Sequence, residues 1–216
     1  MTKHFLPRFL LSAAALSLSL PASAQEKFEG GALALLTFYK STGVQAGSTA
    51  GSVGFRPGPA GGAFLGQNLN ERLGGELRYL LSYNTLKVNS GGATARFGGL
   101  SHAVTYDLLV HFPRPDRRLR PYLAFGGGLK VYQGTGTETP FQPLSNLALL
   151  TGISHTVPTV DFGGGVKFQG PGRMMYRVEF RDYITGVPKV FEASPGARLS
   201  GVFHQWVPAF GISWTF

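Results

Sequence analysis

From His204 to Phe216 large residues hold every second position: Trp206, Pro208, Phe210, Ile212, Trp214 and Phe216. Between them lie Gln205, Val207, Ala209, Gly211, Ser213 and Thr215, which are small or polar. A period of two is that of a β-strand, whose successive side chains point to opposite faces. The stretch from Arg173 to Ile184 repeats the pattern. Met174, Tyr176, Val178, Phe180 and Ile184 share a face broken only by Asp182, while Arg173, Arg177, Glu179, Arg181 and Tyr183 share the other. Alternation of this kind predicts strands over Leu73–Lys87, Ala95–Phe112, Arg120–Gln133, Thr156–Gln169, Arg173–Thr185 and Phe203–Phe216. Phe28–Tyr39 and Ala60–Asn68 supply two more, although Leu33, Leu35 and Leu36 blur the faces of the first. No segment after residue 24 has the pattern of a long helix.

An alternating strand suits two architectures. A soluble sandwich or a lipocalin-like barrel buries the apolar face and shows water the charged one. A transmembrane barrel turns the apolar face to lipid and the charged face into its lumen. Length separates them, because sandwich strands average about 5–6 residues and tilted membrane strands need about 9–11. The predicted strands are of the longer kind. Their connections alternate as well: short at Leu69–Arg72, Pro113–Leu119 and Gly170–Gly172, long at Ser41–Pro59, Gly134–His155 and Gly186–Val202. Short periplasmic turns and long outer loops give that rhythm. The fold class expected is therefore all-β: an eight-stranded antiparallel up-and-down transmembrane β-barrel with both ends of the chain in the periplasm. Ten strands would leave no sequence for the long loops.

The first 24 residues read as an address. Lys3 and Arg8 precede an apolar run from Phe9 to Leu20, and Pro21 leads to Ala22-Ser23-Ala24, a small-x-small cleavage site. The run is 12 residues long, too short to cross a bilayer of about 30 Å as a helix. A cleaved signal peptide over 1–24 and a barrel domain over 25–216 are expected. Composition agrees: 43% of the 216 residues are hydrophobic and only 14% charged, against about 25% charged in average proteins. With no cysteine, disulfides and thiol-ligated metals are excluded. A formal charge of +9 would suit nucleic acid, but a protein exported from the cytoplasm does not meet it, so no nucleic-acid partner is expected.

The signal peptide and the closing Ile212-Ser213-Trp214-Thr215-Phe216 resemble those of outer-membrane β-barrel proteins, closest to the small group typified by the OmpA transmembrane domain and OmpW. The resemblance implies that Ile212, Trp214 and Phe216 form a C-terminal signal read by the barrel-insertion machinery. It also implies an outer-membrane location and a monomer; with the barrel strand running to Phe216, no peptidoglycan-binding domain of the OmpA kind is expected to follow.

One repeat stands out. Phe125-Gly126-Gly127-Gly128-Leu129-Lys130 recurs as Phe162-Gly163-Gly164-Gly165-Val166-Lys167. It lacks the helix and spacing of a phosphate-cradling loop. Glycines that make room inside a narrow barrel, on neighbouring strands, explain it better. Strand phase then gives a lumen inventory of Glu76, Arg78, Asp107, Lys130, Asp161, Lys167, Arg177, Glu179 and Arg181. Eight strands enclose a space just wide enough for side chains, and buried charges must be paired. A salt-bridged plug follows, with a structural or envelope-interaction role. A narrow channel for small solutes is the second reading.

A barrel enzyme acting on lipid A is the third. Ser101–His102 and Ser154–His155 are the only adjacent serine–histidine candidates, and neighbours on a strand face opposite ways. Five histidines show no metal-ligand spacing, and no cofactor or metal is expected. The remaining cations fall at the two ends. Arg114, Arg117, Arg118 and Arg120 crowd one periplasmic turn; Lys40, Arg56, Lys87, Arg96, Lys189 and Arg198 approach the outer rim. Outer-membrane lipids and lipopolysaccharide phosphates are the partners this charge suits.

Overall fold

The computed structural model describes residues 27–112, 118–137 and 142–216. The signal-peptide region, Arg114 and Arg117 lie outside them.

Thirteen strands follow in chain order, with no helix among the described residues: β1 Phe28–Tyr39, β2 Thr42–Ala46, β3 Thr49–Phe55, β4 Gly58–Asn68, β5 Leu73–Ser90, β6 Ala93–His111, β7 Leu119–Gly134, β8 Ala148–Leu150, β9 Ser154–Gln169, β10 Met174–Gly186, β11 Phe191–Ala193, β12 Ala197–Leu199 and β13 Val202–Thr215. Eight of these form a ring. The order is β5-β4-β1-β13-β10-β9-β7-β6, and β6 returns to pair with β5. Every pairing is antiparallel, and β1 meets β13 from Glu29↔Thr215 to Tyr39↔Gln205. Each ring strand is thus paired on both sides, which is what a sheet needs inside a membrane, where no water can satisfy an open edge.

The predicted strands all appear, most of them a few residues longer. The long connections do not remain loops, and this corrects the sequence reading. Residues 42–55 form the hairpin β2–β3, which docks on the far end of β5 through Ser52↔Asn89 to Phe55↔Leu86. Strands β8 and β11 form a small separate sheet, and β12 extends the main sheet beyond β2. Residues 42–55 are rich in glycine, serine and threonine and read as loop, while β8, β11 and β12 are three residues each, too short to show a period, and pair with partners distant in sequence. The fourth connection at this end is a two-residue turn, Gly91–Gly92, with φ of 56° and 84°. Two positive φ values define the turn whose twist matches a hairpin, and β5 and β6 therefore run on past the ring as one long ribbon.

Facing follows the period of two through the ring strands, and Asp182, on the outward parity of β10, is covered by His204. Leu36, Leu65, Tyr83, Tyr106, Leu129, Val160, Phe180 and Trp214 point outward and are about half exposed or more. So broad an apolar surface is lipid-facing. In β1, Glu29, Leu33, Leu35 and Thr37 point inward while Leu36 and Phe38 point out. The leucines blurred the pattern because the lumen there is itself apolar: Leu33 and Leu35 pack with Phe64, Leu80, Val207 and Ala209.

At the long-loop end the interior is a hydrophobic core. Phe55 sits at its centre, with ring centroids of Tyr39, Tyr132, Phe191 and Phe203 at 5.0, 5.1, 5.1 and 5.5 Å. Leu147, Leu150 and Val190 from the outer connections complete it, all buried.

The glycine repeat lies on neighbouring strands in mutual register, Phe125 opposite Phe162, with both phenylalanines outward and both lysines buried. Gly126 stands between Asp107 on one side and Asp161 on the other. A Cβ there would lie 1.8 Å from Asp107 Oδ1 and 2.8 Å from Asp161 Oδ1. At the outward Gly127 the nearest atom would be 3.4 Å away. Replacing Gly126 by alanine should therefore cost about 1–3 kcal/mol through overpacking, while Gly127→Ala should stay within about 0.5 kcal/mol. Urea unfolding in lipid vesicles measures both.

Candidate functional site: a charged layer across the lumen

Alternation on β5 turns Glu76 and Arg78 inward, and on β10 it does the same for Arg177, Glu179 and Arg181. In the ring these two strands stand opposite each other, four places apart in either direction. They share no backbone bond; their side chains meet across the lumen. Arg78 spans it with a two-pronged grip on Glu179, one prong being Nη2–Oε2 at 2.9 Å, and also holds Glu76 at 2.6 Å. Arg177 returns the span to Glu76, Nη1–Oε2 2.6 Å. Paired prongs between a guanidinium and a carboxylate fix direction as well as distance.

The remaining strands tie into the same network. From β1, Glu29 accepts Arg177 Nη2 at 2.7 Å, Ser213 Oγ at 2.7 Å, and Lys167 of β9. Arg181 Nη1 lies 2.9 Å from both Asp107 of β6 and Asp161 of β9. Tyr122 of β7 donates to Glu179, 2.6 Å. The Arg177 guanidinium also covers the Phe64 ring of β4, 3.6 Å from its centroid. Strands β1, β4, β5, β6, β7, β9, β10 and β13 all reach this layer, and every charged group in it is buried.

Eight of the nine residues of the lumen inventory thus join one network. Lys130 does not. It bonds Gln205 on the far side of the lumen and lies against the rings of Tyr132, 4.8 Å, and Tyr39, 5.6 Å. No carboxylate is within ion-pair reach of it among the described residues. It belongs to a polar layer between the ion network and the aromatic core, with Thr37, Ser82, Asn84, Ser101 and Thr185. Glu29 is the charge that sequence reasoning missed, hidden by the ambiguous phase of β1. The Phe28–Glu29 step, one apolar and one acidic residue at a strand start, was the available signal. Space at the short-turn end of the network, bounded by Glu29, Glu76, His111 and Lys167, is about 10 Å³, the room of one water.

Outside the ring, Trp214 and Phe216 face lipid and Ile212 is half-buried. Phe216 exchanges backbone hydrogen bonds with Phe28 at 2.9 and 3.0 Å, and their rings stack at 6.1 Å. Ser101 points inward while His102 points outward to the Tyr79 hydroxyl, 2.7 Å. His155 accepts the Lys189 backbone N–H at 3.2 Å. Neither serine–histidine neighbour forms a pair.

Removing one end of a crossing pair strands the other in the interior. Arg78→Met or Glu179→Gln should each cost about 3–5 kcal/mol. The double variant should cost less than the sum, leaving a coupling of about 0.5–3 kcal/mol. A double-mutant cycle on unfolding free energies measures it.

Among solved structures, Neisserial surface protein A aligns at 12% identity with a TM-score of 0.56, covering 88% of this chain and 97% of its own. The outer membrane protein OprG from Pseudomonas aeruginosa aligns at 10% identity with a TM-score of 0.50, covering 88% and 95%. At such identities the likeness is one of fold. No curated protein matches the chain. The family described as outer membrane protein beta-barrel domain matches over residues 10–201. Ring, lipid-facing surface and family match agree: the chain belongs to the outer membrane protein β-barrel domain family, and its place is the outer membrane.

Proposed function

We propose that this barrel is a structural element of the envelope whose lumen does not conduct. The observation that carries the reading is the pair of crossings Arg78–Glu179 and Arg177–Glu76, which join opposite walls at one level. A hydrated pore needs a continuous gap, and here side chains from every ring strand meet in the middle, with the Phe55-centred core stacked beyond them. The signal peptide 1–24 is removed, the short turns and both ends of the barrel chain face the periplasm, and the long connections face outward. Phe216, held against Phe28, belongs to the signal read by the insertion machinery.

Refolded protein in planar bilayers should show no steady conductance. Stable single-channel currents whose selectivity changes in Arg177→Gln or Glu179→Gln would favour the channel reading instead. Deleting Phe216 should lower the folded, heat-modifiable protein in outer membranes several-fold, read on gels of membrane fractions. Because the chain has no cysteine, Ser48→Cys offers a single label: a membrane-impermeant maleimide should reach it on intact cells, and should not reach Glu71→Cys.

A further inference from the structure

We propose that four cations on the outward face of the long-loop end, Lys40, Arg56, Lys87 and Arg96, form an arc that binds the phosphate groups of outer-leaflet glycolipid. Lys40 follows β1, Arg56 follows β3, and Lys87 and Arg96 lie on β5 and β6. In the sheet β1 and β5 flank β4, β3 docks on β5 where β4 ends, and β6 completes the series. The four are therefore neighbours along one side of the wall. Strand phase turns all four outward: Lys40 continues Phe38, Lys87 continues Tyr83, and Arg56 and Arg96 adjoin the inward Phe55, Ala95 and Phe97.

Two observations point to an anion. Lys87 and Arg96 are directly opposite in the β5–β6 register, an arrangement of like charges that weakens a sheet when nothing lies between them. Further, none of the four side chains makes an ion pair or hydrogen bond among the described residues. Among the described residues, the carboxylates outside the lumen at this end are Asp182, already held by His204 at 2.7 Å, and Glu192 on β11. Position names the source. Phe38, Tyr83 and Trp206, all exposed and outward, form the aromatic level just below the arc, and such rings mark the lipid headgroup boundary. Long basic side chains rooted just above that boundary reach down to phosphates while their stems cover apolar surface. The far side of the barrel is poorer in charge: Val131, Gln133, Ser154 and Thr156 occupy the same end of β7 and β9, and Lys189, whose backbone N–H donates to His155, is the cation beside them. The site therefore has a direction, and one side of the barrel holds the glycolipid.

The inference depends on the outward orientation of the long connections but not on whether the lumen conducts. The test uses full-length folded protein in nanodiscs, titrated with bisphosphorylated lipid A and with the same lipid A after phosphatase treatment. Wild-type protein should prefer the phosphorylated form. The triple variant Arg56→Gln/Lys87→Gln/Arg96→Gln should lose about fivefold in affinity per cation removed, with unchanged heat-modifiable migration as the check on folding. Lys189→Gln/Arg198→Gln, off the arc, should bind as wild type. Equal affinity for the dephosphorylated lipid, or wild-type affinity in the triple variant, overturns the proposal. Inorganic phosphate displacing the lipid at comparable concentration overturns its lipid source. Failure of the Ser48→Cys label on cells would refute the orientation, and leaves a distinct signature because binding in nanodiscs would persist.

Discussion

Arg78 and Arg177 set the terms for the rest of the molecule. A guanidinium cannot shed its charge in a protein, and burying one alone costs several kcal/mol even after relaxation. Each must therefore find carboxylates, and each takes one from the opposite wall beside one nearer to hand: Glu179 and Glu76 for Arg78, Glu76 and Glu29 for Arg177. Glu179 and Glu76 are placed to receive them only if β5 and β10 stand diametrically opposed and in phase. Strand number, register and the inward glycines are all consequences of that fit. Gly126 has no side chain because Asp107 and Asp161 need its space to reach Arg181.

The interior is layered by chemistry. Ion pairs fill the half near the short turns, a hydroxyl and amide layer with Lys130 lies above, and an aromatic core closes the loop end. This order is the reverse of a soluble protein, where apolar groups avoid the surface on every side. Here the outer wall already meets an apolar solvent, so charge is free to sit inside, provided that it is paired. The aromatic core answers a different need. Beyond the membrane the extended β5–β6 ribbon and β2–β3 hairpin meet water, and there the sheet has to bury an apolar face as any soluble domain does.

Much of this was legible in the chain. The outward and inward sets of β10 and β13 follow from alternation alone, and Phe125 and Phe162 announced two strands in register through their shared glycines. What escaped is equally physical. Leu33 and Leu35 point into an apolar part of the lumen, so the polarity contrast that reveals phase vanished in β1, and Glu29 vanished with it. The hairpin β2–β3 was hidden by its glycines and hydroxyl residues, which read as loop, and β8, β11 and β12 by being three residues long with partners far along the chain. Lys130 appeared among the ions from its parity, but parity fixes direction and not height; it stands one layer too far from any carboxylate.

Ring closure has a kinetic consequence. Hairpins such as β5–β6 join residues close in sequence, whereas the seam between β1 and β13 joins Glu29 to Thr215. Closing so long a loop carries the largest entropy cost of any pairing in the molecule, and contacts of such wide separation form slowly. Until the last strand arrives, β1 and β10 each present an unpaired edge, and Glu29 lacks Ser213. A chain short of its final strand is thus not a slightly weakened barrel but an open sheet with two exposed edges, prone to join its like. The final strand acts as the latch of the whole assembly.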